Sequence, residues 1–166
     1  WSSDVCSSDL KQRYVLDLQA PLSESGKVRG RVITGYQDNE SWVDTYHYRK
    51  KFIYGVVDAD VTDSTTLSMG YEYQESQTDS PTWGGLPTWY ADGSKAKYDR
   101  STTVAPNWAY SNKDNTRVFA NLTQRFGNGW EAHVNGMHAQ TNFDTKMMYM
   151  YGYPDEATGQ IGRAHV

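Results

Sequence analysis

The chain has one cysteine in 166 residues, no long apolar run and no surplus of basic charge, and each shortage removes a class of function. The cysteine, Cys6, lies in a terminal stretch set aside below, so disulfide frameworks, Cys-ligated zinc and thiol catalysis have nothing to stand on. Lys and Arg number 16 against 20 Asp and Glu, a net charge of −4, which leaves no basic footprint for nucleic acid. A mean hydropathy of −0.78 and the lack of any continuous apolar span exclude transmembrane helices. They do not exclude a β-barrel, whose strands need apolar residues only at alternate positions and whose outer loops are polar. Phenylalanine is scarce (4) beside tyrosine (13) and tryptophan (6), and amphipathic rings of that kind favour membrane interfaces and binding surfaces.

The two ends are read apart from the rest. Residues 1–10 (WSSDVCSSDL) and 161–166 (IGRAHV) read as the two largely complementary translations of a sequencing adapter, and such artefacts carry no fold information. The segment that carries the protein is then 11–160, an internal piece of a longer chain, and the absence of a signal peptide says nothing about location.

Within that segment a unit of about ten residues recurs in which apolar and polar side chains alternate. Six strands are expected, at about 13–20, 28–38, 48–61, 66–75, 116–126 and 130–142. In the second, Val28, Gly30, Val32, Thr34 and Tyr36 fall on one face and Arg29, Arg31, Ile33, Gly35 and Gln37 on the other. In the fourth, Leu67, Met69, Tyr71 and Tyr73 oppose Ser68, Gly70, Glu72 and Gln74. Tight turns at 21–27, 62–65 and 127–129 alternate with longer connections at 39–46, 76–115 and 149–160. Ten residues at about 3.3 Å each, tilted by about 45°, cross about 23 Å, close to the apolar band of outer-membrane barrels. A soluble β-sandwich also alternates. Charges on nearly every second face, Tyr or Trp at strand ends and loops that are short on one side only favour the barrel: an all-β, antiparallel transmembrane fold.

The 76–115 connection, with Trp83, Trp89, Tyr90, Tyr98, Trp108 and Tyr110, is too long for a simple connector and too aromatic to lie loose in water, so it is expected to be ordered and functional. The runs GKVRGRVITGYQDNESW, KKFIYGVVDADVTDSTTLSMGYEYQ, TWGGLPTWYADGS, YDRSTTVAPNWAY and RVFANLTQRFGNGW, in order across 11–160, resemble the barrel of TonB-dependent ferric-siderophore receptors, most closely their ferric-coprogen and ferripyoverdine branch. That resemblance implies about six strands of a 22-stranded outer-membrane barrel around an N-terminal plug, roughly a quarter of the barrel. It also implies a ferric siderophore as ligand, a TonB–ExbB–ExbD complex engaged through the absent N-terminal part, and contact with outer-membrane lipid and lipopolysaccharide.

A ferric siderophore arrives with its iron chelated, so no cofactor and no protein metal ligands are expected, and the iron is cargo. Trp83, Trp89, Tyr90, Trp108 and Tyr110 are the candidates to stack on the ligand, and Lys95, Lys97 and Arg100 to meet its oxygens. No catalytic residues are assigned, and the chain is expected not to be an enzyme. Asp58 and Asp60 lack a nucleophile, base or cleft and read as part of a wet lumen face, where Arg29, Arg31, Arg117 and Arg125 are expected to pair with acidic groups. His47, His133 and His138 do not read as a shared metal site. Two other readings stand beside the receptor: a soluble or surface β-protein that binds carbohydrate through the aromatic loop, and a TonB-dependent receptor for a glycan, cobalamin or haem.

Overall fold

A computed structural model describes residues 11–158 and the backbone of 164–165; of the two flanks read as adapter, only that dipeptide's backbone lies within the described residues. The strands are β1 (Lys11–Pro21), β2 (Val28–Glu40), β3 (His47–Thr62), β4 (Thr65–Asp79), β5 (Tyr110–Arg125) and β6 (Glu131–Lys146). They form one six-stranded sheet in the order β1-β2-β3-β4-β5-β6, each neighbour antiparallel. A separate two-residue ribbon pairs β7 (Tyr149–Met150) with β8 (Ala164–His165).

Local chemistry fixes the turns at one end. In the first, the Ser23 hydroxyl accepts from the Val28 N–H (3.1 Å), and Gly26 takes φ of 69°, a left-handed conformation that costs glycine nothing. The second reverses over Asp63 and Ser64, with the Thr62 hydroxyl donating to that of Thr65 (2.8 Å). The third closes when the Phe126 N–H meets the Trp130 carbonyl (2.8 Å), with Gly129 at φ 83°. Trp130 thus belongs to the turn, and β6 starts one residue later than the alternation implies.

Register carries the two faces across the sheet, because directly paired residues share a side. Leu18, Val32, Gly55, Tyr71 and Val118 form one row of partners; Asp17, Ile33, Tyr54, Glu72 and Arg117 form the adjacent row on the other face. The first face presents Leu16, Leu18, Val32, Ile53, Val57, Met69, Val118 and Val134 to the outside, all of them exposed. On the second, the four arginines expected to find acids do so: Arg29 with Asp60 (2.6 Å), Arg31 with Asp17 (2.6 Å), Arg125 with Glu131 (2.9 Å), and Arg117 with Glu72. Asp58 accepts from the Ser68 hydroxyl on this same face.

No residue of β1 to β7 is buried; among the described residues only Ser80, Ala109 and Pro154 are, all beyond the strand ends. A sandwich requires a second layer and a dry core about 10 Å thick between the layers. Among the described residues there is neither, and the sheet is a two-sided wall with apolar side chains on one face and paired charges on the other. Strands β1 and β6 are exposed along their whole lengths, which makes the isolated segment prone to edge-to-edge pairing.

Candidate ligand-binding site

Three tyrosines mark where the apolar face ends. Tyr14, Tyr36 and Tyr73 each turn their hydroxyl toward the long-loop end and donate to the side chain two residues nearer that end: Gln12 (3.3 Å), Asp38 (3.0 Å) and Glu75 (3.0 Å). A ring in hydrocarbon with its hydroxyl in the polar zone is the arrangement of an interfacial aromatic belt. Above it the same face becomes ionic. His47 bonds Asp38 and stands 3.8 Å from Asp79, Arg49 pairs with Asp79 (2.9 Å), and Lys51 pairs with Glu75 (2.8 Å). Sequence reasoning missed this network; its signal was a carboxylate two positions beyond a belt tyrosine. Among the described residues no group of three His, Cys, Asp or Glu could hold a metal.

The strands outrun the belt. The connection expected at 76–115 shortens to 80–109, since β4 runs to Asp79 and β5 starts at Tyr110. At the neck the Ser80 N–H donates to the Ala109 carbonyl (2.8 Å), and both residues are almost fully covered (3% and 2% exposed). Toward the 41–46 connection the Asp44 N–H donates to the Ser101 carbonyl (2.8 Å), the Ser101 hydroxyl donates to Asp44 (3.1 Å), and the Arg100 guanidinium lies 4.9 Å over the Trp42 ring. On the other flank the Ala91 N–H reaches the Pro154 carbonyl (2.9 Å) and Trp83 meets Tyr149 edge-on at 6.3 Å. The loop is therefore an ordered lid edge, tied to both neighbouring connections.

The eight candidates separate by what they touch. Tyr110 is not a loop residue: it lies in β5, and its hydroxyl donates to Asp144 (3.1 Å) across the ladder. Trp108 carries the Lys146 ammonium 5.1 Å above its ring, and Arg100 is engaged by Trp42. Trp83 keeps 66% of its surface exposed despite Tyr149. Trp89, Tyr90, Lys95 and Lys97 sit on a small β-turn excursion. Trp89 pairs with Lys95, and that bridge is held by Tyr90 N–H to Ser94 carbonyl (2.9 Å) and Ala96 N–H to Thr88 carbonyl (3.0 Å).

The turn of that excursion depends on Gly93 at φ 85° and on Asp92, whose carboxylate accepts from the Ser94 hydroxyl (2.7 Å) and N–H (2.9 Å). Those bonds, the hydroxyl's first, hold the Asp92 carboxyl below its ordinary range. A carboxyl whose folded value is depressed adds stability that is present above the unfolded value and lost as pH falls through the folded one. The protection factor of the Ser94 amide, its exchange rate taken relative to the intrinsic rate at each pH, is accordingly expected to hold at neutral pH and to fall on acidification below about pH 4. Asp92→Asn should remove most of that pH dependence; an unchanged profile would show that the carboxylate does not hold the turn.

A wall with a hydrocarbon face, an ionic rim and an ordered aromatic lid defines a segment of an outer-membrane β-barrel receptor. The comparisons with known proteins agree. The chain is 34% identical over 136 residues to the ferric-pyoverdine BN7/BN8 receptor of Pseudomonas putida, a match that covers 82% of this chain and 17% of that protein. It superposes with a TM-score of 0.83 at 30% identity on the crystal structure of the outer-membrane ferripyoverdine receptor of Pseudomonas aeruginosa bound to ferripyoverdine, covering 90% of this chain and 21% of that one. The alcaligin outer-membrane receptor of Bordetella pertussis shares the fold at TM-score 0.61 and 21% identity, over 92% of this chain and 24% of that one. No family model matches. The chain is homologous to a stretch of the barrel of these outer-membrane receptors and spans about a fifth of their length. These relatives are receptors, not enzymes.

Proposed function

We propose that residues 11–160 form part of the wall and outer mouth of a receptor that captures a ferric siderophore at the cell surface and passes it inward by TonB-driven transport. The observation that carries this reading is the ordered aromatic connection, residues 80–109, at the long-loop end of a sheet in which no residue of β1 to β6 is buried. A preformed ferric chelate presents an organic shell, so rings and cations suffice to hold it, and on this reading no resident cofactor or protein metal ligand takes part. The iron is cargo. Lipid and lipopolysaccharide would lie against the tyrosine face, and the TonB–ExbB–ExbD complex would engage a part of the receptor outside this chain. The flanks, 1–10 and 161–166, have no role in it.

The test expresses the full-length receptor carrying this segment in cells stripped of their own siderophore receptors and follows radioactive iron from a panel that includes ferripyoverdine. Expected is uptake of at least one chelate that vanishes in a TonB-deficient background. Absence of uptake from every chelate, with the receptor present at the surface, would overturn the reading.

A further inference from the structure

Resting on that reading, we propose that the 88–97 excursion of the lid is a charge-selective reading head: Trp89, Lys95 and Lys97 distinguish ferric chelates that carry an acidic arm from otherwise identical neutral ones. The two halves of this small ribbon are fixed by their own bonds, independently of any ligand. Because the Tyr90–Ser94 and Ala96–Thr88 backbone bonds flank the Trp89–Lys95 bridge, these two residues form a pair that does not itself exchange hydrogen bonds. In such pairs the side chains stand on one face at the closest cross-strand approach, about 4.5 Å between Cα atoms. Lys97 follows two residues after Lys95, just past the bridge. One indole and two ammonium groups are thus gathered along one short ribbon.

These three side chains stand open. Trp89 is 49% exposed, and Lys95 and Lys97 are exposed as well. Among the described residues neither ammonium has a hydrogen bond, ion pair or ring contact, whereas Arg100 and Lys146 are spent on Trp42 and Trp108. Two acids flank the lysines in sequence: Asp92, three residues before Lys95, has its carboxylate turned to Ser94, capping the turn, and Asp99, two residues after Lys97, forms no ion pair with either ammonium among the described residues. Of the residues that alternate with Trp89 and the lysines, Tyr90 and Ala96 are half-buried while Thr88 and Ser94 are exposed. In a chain of net acidic charge, an unneutralised pair of lysines beside an indole calls for an anionic, flat-faced ligand: the ring takes a planar portion and the ammonium groups meet carboxylate oxygens. The selectivity lies in charge complementarity, which discriminates between partners more than it adds raw affinity.

The experiment uses the full-length receptor in detergent and two synthetic ferric tris-hydroxamates identical except for one added carboxylate arm. Wild-type receptor is expected to prefer the carboxylated chelate, with the preference shrinking as salt is raised. Lys95→Gln/Lys97→Gln should weaken binding of the carboxylated chelate by about tenfold and change that of the neutral one less than about twofold. Equal losses for both chelates, or no loss for either, would overturn the reading head while leaving the receptor function standing. Failure of wild type to bind either chelate, or any natural siderophore of the uptake panel, would overturn both. Lys113→Gln, which removes an ammonium held 5.0 Å over the Phe143 ring and outside the ribbon, serves as the control and should keep the charge preference; its loss in that variant would count against the assignment.

Discussion

Replacing Gly70 by alanine is expected to destabilise the barrel by about 1–3 kcal/mol, a large effect for one methyl group on a wet face. Gly70 lies on the polar side of β4, between Val56 and Phe119 in the ladder. A Cβ at this position would fall 2.2 Å from Phe119 Cζ, 2.5 Å from Cε1 and 2.8 Å from Cε2. The Phe119 ring crosses the glycine because it also stacks on Tyr54, with centroids 6.1 Å apart and planes 20° apart. An aromatic laid over a strand glycine covers backbone that would otherwise be unprotected, and it also pins register. To admit the methyl group the ring must swing off Tyr54 and forfeit a contact of about 0.5–1.5 kcal/mol.

The midpoint of urea unfolding in detergent reads the effect, and a double-mutant cycle isolates its cause. In a Phe119→Ala background the added cost of Gly70→Ala should fall below about 0.5 kcal/mol, since the clashing partner is gone. Gly55 supplies the matched control. It faces the opposite side of the neighbouring strand with nothing within 4 Å of a Cβ, so Gly55→Ala should be near neutral. The same penalty for Gly70→Ala with and without Phe119 would show that backbone strain, not ring packing, reserves the position for glycine.

These two glycines also show what was legible in the sequence. The period of two sets the faces of a strand whatever surrounds it, so Gly55 and Gly70 could be assigned to opposite faces from their place in the alternation, and the register bears that out. The four lumen arginines were legible for the same reason: a charge on the polar face of a wall finds an acid on the next strand. The strand ends were not. In Ser76–Gln77–Thr78–Asp79 and in 110–115 the alternation vanishes although the ladder continues, because beyond the tyrosine belt both faces meet water and nothing selects an apolar side chain. Alternation alone therefore leaves Tyr110 in the loop, whereas it belongs to β5. Within the lid, residue type pointed to aromatic recognition, but not to direction: that Trp108 is occupied by Lys146, while Trp89 stands open beside Lys95, depends on bonds between distant segments. The His47 network escaped for the same reason, because its members come from β2, β3 and β4 and meet only once the strands are in register.

Trp83→Ala is expected to weaken ferric-siderophore binding by about thirtyfold, the roughly 2 kcal/mol loss typical of a truncated tryptophan at the centre of a recognition surface. The indole is anchored at one edge only. Tyr149 meets it at an interplanar angle of 67° and also lies beside Gly84, where a Cβ would make only ordinary contact with the Tyr149 ring. The rest of the ring is open, so the contact orients Trp83 without consuming it. Three variants separate recognition from packing when affinity is read by filter binding of radioactive iron chelate to whole cells. Trp83→Phe keeps a ring and should lose only a fewfold. Tyr149→Ala removes an edge contact of about 0.5–1.5 kcal/mol and should therefore cost clearly less than Trp83→Ala. If Tyr149→Ala cost as much as Trp83→Ala, the indole would be a strut of the lid; if neither variant changed affinity, Trp83 would lie outside the path of the ligand. A graded result, with alanine at 83 worst and phenylalanine mildest, requires that the open face of the ring itself meet the chelate.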